Sequence, residues 1–159
     1  MSAAAARQES PIVLERMAPT HLADVLALGR ELYDTSVKPY TSWSLSAITG
    51  HMDADASSCW VALDGDVLAG FVCGSMGFDH RTDWGNLEWI ASAPAYQGRG
   101  VASHLVQACC ATLTAAGAVA VVTDVESRNT ASAALMRRNG FRESVSVTLF
   151  VRDAPEASL

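Results

Sequence analysis

The sequence predicts an α/β (α+β) protein with a mixed, mainly antiparallel central sheet and helices on both faces. Three observations lead there. Three β-rich segments follow one another between residues 58 and 93, joined by tight turns, which makes an antiparallel meander. The third of them opens a strand–helix–strand run over residues 84–125, and such a crossover places its two strands parallel. Amphipathic helical runs stand before and after the meander. A doubly wound Rossmann sheet is excluded, because only one crossover helix has the right place.

Taken in order, residues 1–10 are small and polar and read as a flexible tail. Residues 11–151 read as a single domain without repeats or linkers, and residues 152–159 as a second loose tail. Ile12 to Arg16 fits an edge strand. Pro19 and Thr20 introduce a helix in which Leu22, Val25, Leu26, Gly29 and Leu32 share a face. Thr35 to Ser42 reads as a loop. It carries Tyr40 and leads to Trp43, aromatics that serve either as core lids or as pocket walls. Ser44 can cap a short helix from Leu45 to Met52, since its hydroxyl can accept an orphan N–H.

Ser58 to Leu63 is the first strand of the meander, Asp64-Gly65 its hairpin turn, and Val67 to Gly74 the return strand, with an extension to Phe78 open. Asp79 to Asp83 is the next turn and Trp84 to Ala93 the third strand. Val101, Leu105, Cys109 and Leu113 then recur every four residues in a helix that Gly117 ends. Ala118 to Val125 is a continuous apolar run, the sign of a strand covered on both faces. Thr130 to Asn139 is a second helix stopped by Gly140. Phe141 to Val151, with Val145, Val147 and Leu149 alternating, is predicted as a last, edge strand. Edges invite pairing, so a homodimer is compatible with the sequence.

Composition narrows the function. The chain has 159 residues, half of them hydrophobic, enough for a real core. A net charge of −6 argues against general nucleic-acid binding. No run approaches the roughly 18 apolar residues of a membrane span, and the first ten residues lack the apolar core of a signal peptide. The four cysteines form no C-x-x-C pair and read as free thiols of a reduced, cytoplasmic protein. His21, His51, His80 and His104 show no metal-ligand spacing, so no metal is expected.

The stretch Pro94 to Ala102, P-A-Y-Q-G-R-G-V-A, joins the third meander strand to the crossover helix. A glycine-bearing turn that opens a helix aims unpaired N–H groups and the positive end of the helix dipole at one spot. That is a site for phosphate or pyrophosphate, and Arg99 can add a full charge. The third glycine of a dinucleotide fingerprint is missing, as Ser103 shows, and so is the G-K-[ST] of a P-loop.

Gln97-Gly98-Arg99-Gly100-Val101-Ala102 instead fits Q/R-x-x-G-x-G/A, and the chain resembles the general N-acetyltransferase (GNAT) superfamily. Asn129 to Phe141, N-T-A-S-A-A-L-M-R-R-N-G-F, resembles that family's second motif, N-x-x-A-x-x-L-Y-x-x-x-G-F. The order of elements is also similar, over about residues 11–151. The resemblance implies acetyl-CoA as cosubstrate. It puts the backbone of Gln97, Gly98, Arg99, Gly100, Val101 and Ala102 on the CoA pyrophosphate, and main-chain groups of Ile90 and Ser92 beside the pantetheine arm. Asn129 matches the Asn that opens the family's second motif and often lines the cofactor, while Ser132 stands where Ala is usual. Met136 stands where the family often has a Tyr that reprotonates the departing thiolate, and Met has no proton to give.

An amine must lose a proton before it attacks a thioester. Glu88 is the leading candidate base, placed by period-two alternation on the face of Ile90 and Ser92 unless a bulge intervenes. Asp124 and Glu126, at the end of the apolar run, are its rivals. Trp84 and Trp89 flank Glu88 and read as core. The resemblance implies an N-acetyltransferase working by direct transfer to a small amine, an amino-acid derivative or a protein N-terminus. An O-acetyltransferase or another acyl donor stays open, and Met136 supports an alternative, an acetyl-CoA-binding sensor with impaired catalysis.

Overall fold

The computed structural model describes residues 11–155; the proposed N-terminal tail and residues 156–159 lie outside them. Five strands form one sheet in the order β1 (Val13–Arg16), β2 (Trp60–Asp64), β3 (Val67–Phe78), β4 (Arg81–Ser92) and β5 (Ala120–Val122). The first four are antiparallel neighbours, and β5 runs parallel to β4. The mixed, mainly antiparallel sheet of the sequence reading is therefore the observed one.

Helices α1 (Leu22–Leu32) and α2 (Leu45–Met52) cover one face. Residues Val25, Leu28 and Ile48 are buried there against Phe71, Trp89 and Val61. Ser44 begins α2 as expected, its hydroxyl accepting from the Ala47 N–H at 3.2 Å. Helices α3 (Val101–Ala115) and α4 (Thr130–Arg138) cover the other face, where Leu105, Cys109, Leu113 and Met136 meet Val72 and Leu87. Adjacent Phe71 and Val72 enter opposite cores, as the pleat of a strand requires.

On the α1–α2 face, Tyr33, Trp43, Phe71 and Trp89 form one aromatic cluster, with Trp43 stacked on Phe71 at 5.4 Å between ring centres. This answers the question left open for the loop: Trp43 is core and Tyr40 is exposed. Gly29 makes the packing feasible, because a Cβ there would lie 2.1 Å from the Trp43 ring.

Four expectations need correction. The first hairpin turns on Gly65 and Asp66, with Asp64 already paired to Val67. The second is tighter than expected, so β4 begins at Arg81 and not at Trp84; Asp79 takes the left-handed conformation, φ 51°, that a short turn demands. The run from Ala118 to Val125 yields only a three-residue strand with an exposed flank, since Val119 and Ala120 face solvent. The predicted last strand, Phe141 to Val151, is not a strand. It pairs with no strand of the described sheet and is exposed from Arg142 onward. Its alternation is right for a strand, but a strand exists only where a neighbour accepts its hydrogen bonds.

Candidate active site

The turn between β4 and α3 takes the form its glycines dictate. Gly98 has φ 79° and Gly100 φ 78°, both in the left-handed region where a side chain is strained. Gly100 caps α3 without a side-chain hydrogen bond. The first-turn N–H groups of Val101, Ala102 and Ser103 therefore keep the orphan character of a helix start, with the dipole behind them. The Arg99 guanidinium lies over the Tyr96 ring at 5.2 Å, and Tyr96 donates to Asp64 at 2.8 Å, fixing the turn to the end of β2.

Beside the turn the sheet is open. β5 pairs with β4 only at Trp84, Gly85 and Asn86, while β4 continues to Ser92. Ala93 donates to Ala69 at 2.8 Å, and Ala91 stands opposite Phe71. In an antiparallel ladder the alternate residues, Ile90 and Ser92, then turn their main-chain groups away from β3, toward the open edge. The Ile90 carbonyl there accepts from the Tyr33 hydroxyl at 2.7 Å, and burial pushes that phenol's pKa well up. Among the described residues, Trp89 Nε1 and Ser92 Oγ are buried polar atoms without a partner, both on this stretch of β4. Trp89 lies in the aromatic cluster on the α1–α2 face, whereas an orphaned hydroxyl such as that of Ser92 suits a strand that receives a polar ligand.

Glu88 sits at a bulge. Cys73 pairs with Trp89 and Gly74 with Leu87, so Glu88 is the extra residue of β4. The bulge reverses parity: Leu87 enters the α3 core and Trp89 the α1–α2 core. Glu88 consequently does not share the face of Ile90, which packs against the α3 core. It reaches α2 instead, where it is hydrogen-bonded to His51 Nε2. An ionised carboxylate only accepts, so His51 donates from Nε2, and its Nδ1 meets the Ser75 hydroxyl at 2.7 Å. His51 and Ser75 are buried, whereas the Glu88 side chain is 38% exposed, one end held and the other open to solvent.

The rival carboxylates are occupied. Asp124 is bound by Lys38 at 2.8 Å and by the Tyr40 hydroxyl at 3.2 Å. Burial alone would raise the Asp124 carboxyl, but Lys38 and Tyr40 together hold it below its ordinary value. Glu126 is hydrogen-bonded by the Arg128 side chain at 3.0 Å, which likewise lowers it.

The acetyltransferase (GNAT) family profile covers residues 24–141. The chain belongs to the GNAT family. No curated protein matches it. Among solved structures, AAC(6')-Iy in complex with the bisubstrate analogue CoA-S-monomethyl-acetylneamine superposes with a TM-score of 0.75 at 24% identity, covering 91% of this chain and 100% of that one. The aminoglycoside 6'-N-acetyltransferase AAC(6')-IG from Acinetobacter haemolyticus gives 0.72 at 20%, covering 89% and 99%. Ard1 from Thermoplasma volcanium gives 0.70 at 15%, covering 84% of each. At such identities the likeness is one of fold.

The stretch that resembles the family's second motif lies on α4. Asn129 caps the helix, its Oδ1 accepting from the Ser132 N–H at 3.1 Å, so that side chain has a structural task. Ser132 is half-buried one position from the exposed Ala131. Met136 is only 5% exposed and packs in the α3 core. Asn139 donates to Ser103 at 3.1 Å and ties α4 to the first turn of α3.

The residue that the sequence reading missed is His51. One signal could have found it: His51 follows Ile48 by three positions, on the inward face of a capped helix. A histidine so placed needs a polar partner.

Proposed function

We propose that this GNAT protein moves an acetyl group from acetyl-CoA directly to the primary amine of a small cationic molecule. The observation that carries the proposal is the junction of the left-handed Gly98–Gly100 turn with the open edge of β4. Backbone N–H groups from Gln97 to Ala102 hold the pyrophosphate, with Arg99 adding charge. Main-chain groups of Ile90 and Ser92 hold the pantetheine arm as a further strand would be held, and an N–H there faces the thioester oxygen. When bound, acetyl-CoA supplies the acetyl group already activated as a thioester.

Glu88 takes the proton of the incoming ammonium, through a water on its solvent-exposed side. His51 holds the carboxylate in place from behind, and Ser75 fixes the imidazole. Asp124 is the poorer base, because Lys38 holds it as a carboxylate in an ion pair. Met136 is buried and protonates nothing. Binding both reactants at one strand edge supplies rate through proximity alone. The net charge of −6 draws a cationic acceptor toward the protein. Neighbours of the same fold are named as aminoglycoside acetyltransferases, which makes aminoglycosides and polyamines the first acceptors to test.

Calorimetry with acetyl-CoA, followed by release of free CoA thiol over an amine panel, tests this reading. Saturable binding and amine-dependent release are the expected results. Tight binding without release for any amine would favour a sensor, and no binding at all would remove both.

A further inference from the structure

The sheet sets two of the four cysteines face to face. Ser58 and Gly74 exchange both of their main-chain hydrogen bonds, at 2.8 and 3.1 Å. One step along the ladder, Cys59 therefore stands directly opposite Cys73, in a pair that exchanges none. Trp60 opposite Val72 continues the same register. A pair of that kind has its Cα atoms about 4.5 Å apart, with the side chains close together. A disulfide spans Cα atoms roughly 4.4–6.8 Å apart. Both cysteines are free thiols buried in the α1–α2 core. The Cys59 thiol leans toward β3, donating to the Gly74 carbonyl at 3.8 Å. Cys109 belongs to the core on the opposite face of the sheet, and Cys110 follows it on α3.

We propose that Cys59 and Cys73 form a reversible oxidation site, closed to a cross-strand disulfide by hydrogen peroxide and reopened by a thiol reductant. The Cys59 thiolate attacks one peroxide oxygen, the O–O bond breaks, and the hydroxide that leaves takes up a proton to become water. Cys73 then attacks the sulfenic acid on Cys59, the S–S bond forms, the S–O bond breaks, and a second water leaves. Two thiols have lost two hydrogens and two electrons, and one peroxide has become two waters. The order of attack follows from the contact between the two thiols. A hydrogen bond from Cys73 lowers the pKa of Cys59 against the effect of burial, while the same contact and burial raise that of Cys73. The site also adjoins the proposed catalytic base. Cys73 pairs on its other side with Trp89, at the edge of the bulge that carries Glu88. A disulfide there ties β2 to the part of β3 that defines the bulge. The inference does not depend on the proposed acetyl transfer and is tested without any substrate.

The reduced full chain, treated with hydrogen peroxide while its circular dichroism stays native, is expected to lose two hydrogens in intact mass and two of its four free thiols. Peptide mapping should then join residue 59 to residue 73, and dithiothreitol should restore both thiols. The oxidised chain should melt at a higher temperature than the reduced one, because the link restricts the unfolded chain. In Cys73→Ser the sulfenic acid should persist on Cys59 and be trapped by dimedone, and in Cys59→Ser no link should form. A link through Cys109 or Cys110, oxidation to sulfinic acid with no 59–73 link, or a link that forms only after the chain unfolds would each overturn the proposal. Should either variant fail to fold, the wild-type peptide map decides: a native 59–73 link supports the site and its absence overturns it.

Discussion

Glu88 and His51 carry the sharpest expectations at the scale of single residues. Glu88→Gln removes the proton acceptor and keeps the shape, so kcat/KM should fall about 10²–10⁴-fold while the calorimetric Kd for acetyl-CoA stays unchanged. His51 acts through Glu88 and is a positioning residue. His51→Gln, which can still donate to the carboxylate, should retain more kcat than His51→Ala, with the calorimetric Kd for acetyl-CoA unchanged in both. If Asp124 were the base, Asp124→Asn would produce these losses and Glu88→Gln would not. Gly29 is a separate case. Its absent Cβ leaves room for the Trp43 ring, so Gly29→Ala should cost about 1–3 kcal/mol. At roughly 2–4 °C per kcal/mol, a melting curve will register it. His51 was hard to read in the sequence for a physical reason: it stands far from Glu88 along the chain, and only the packing of α2 on β3 and β4 brings the two together.

Local signals explain what was legible among the elements. Ser44 starts α2 and Gly117 stops α3 by chemistry contained in a few neighbouring residues, and both boundaries were found. The turn at Gly98 and Gly100 was legible for the same reason. A Gly100→Ala substitution forces a side chain into φ 78°, which costs about 1–2 kcal/mol. If that strain opens the turn, the acetyl-CoA Kd should rise about tenfold, since 1.4 kcal/mol is one decade. The bulge at Glu88 was illegible, because an extra residue in a ladder leaves no mark on its own strand; it is defined by the spacing of β3 opposite. Residues 141–151 mark the same limit. Their alternation shows the chemistry of a strand, yet no strand of the described sheet takes them as a neighbour.

For the whole molecule, the loop from α1 to α2 is joined to the end of β5 through Lys38, Tyr40 and Asp124. That contact links the α1–α2 layer to the far wall of the opening. Because the folded Asp124 carboxyl lies below its ordinary value of 3.8, the stabilisation is present above that pH and is lost as pH falls through the lowered value. Thermal midpoints of the wild type and of Lys38→Ala should therefore differ at neutral pH and converge in strong acid. The pair is half exposed, so the difference should be small and should shrink with salt. The central claim concerns the other wall. A crystal structure of the complex with CoA tests it most directly. The account predicts the pyrophosphate on the N–H groups of residues 97–102, the pantetheine arm along Ile90 and Ser92, and the sulfur on the side of β4 nearest Glu88. CoA bound away from this turn, or a sulfur closer to Asp124 than to Glu88, would contradict it.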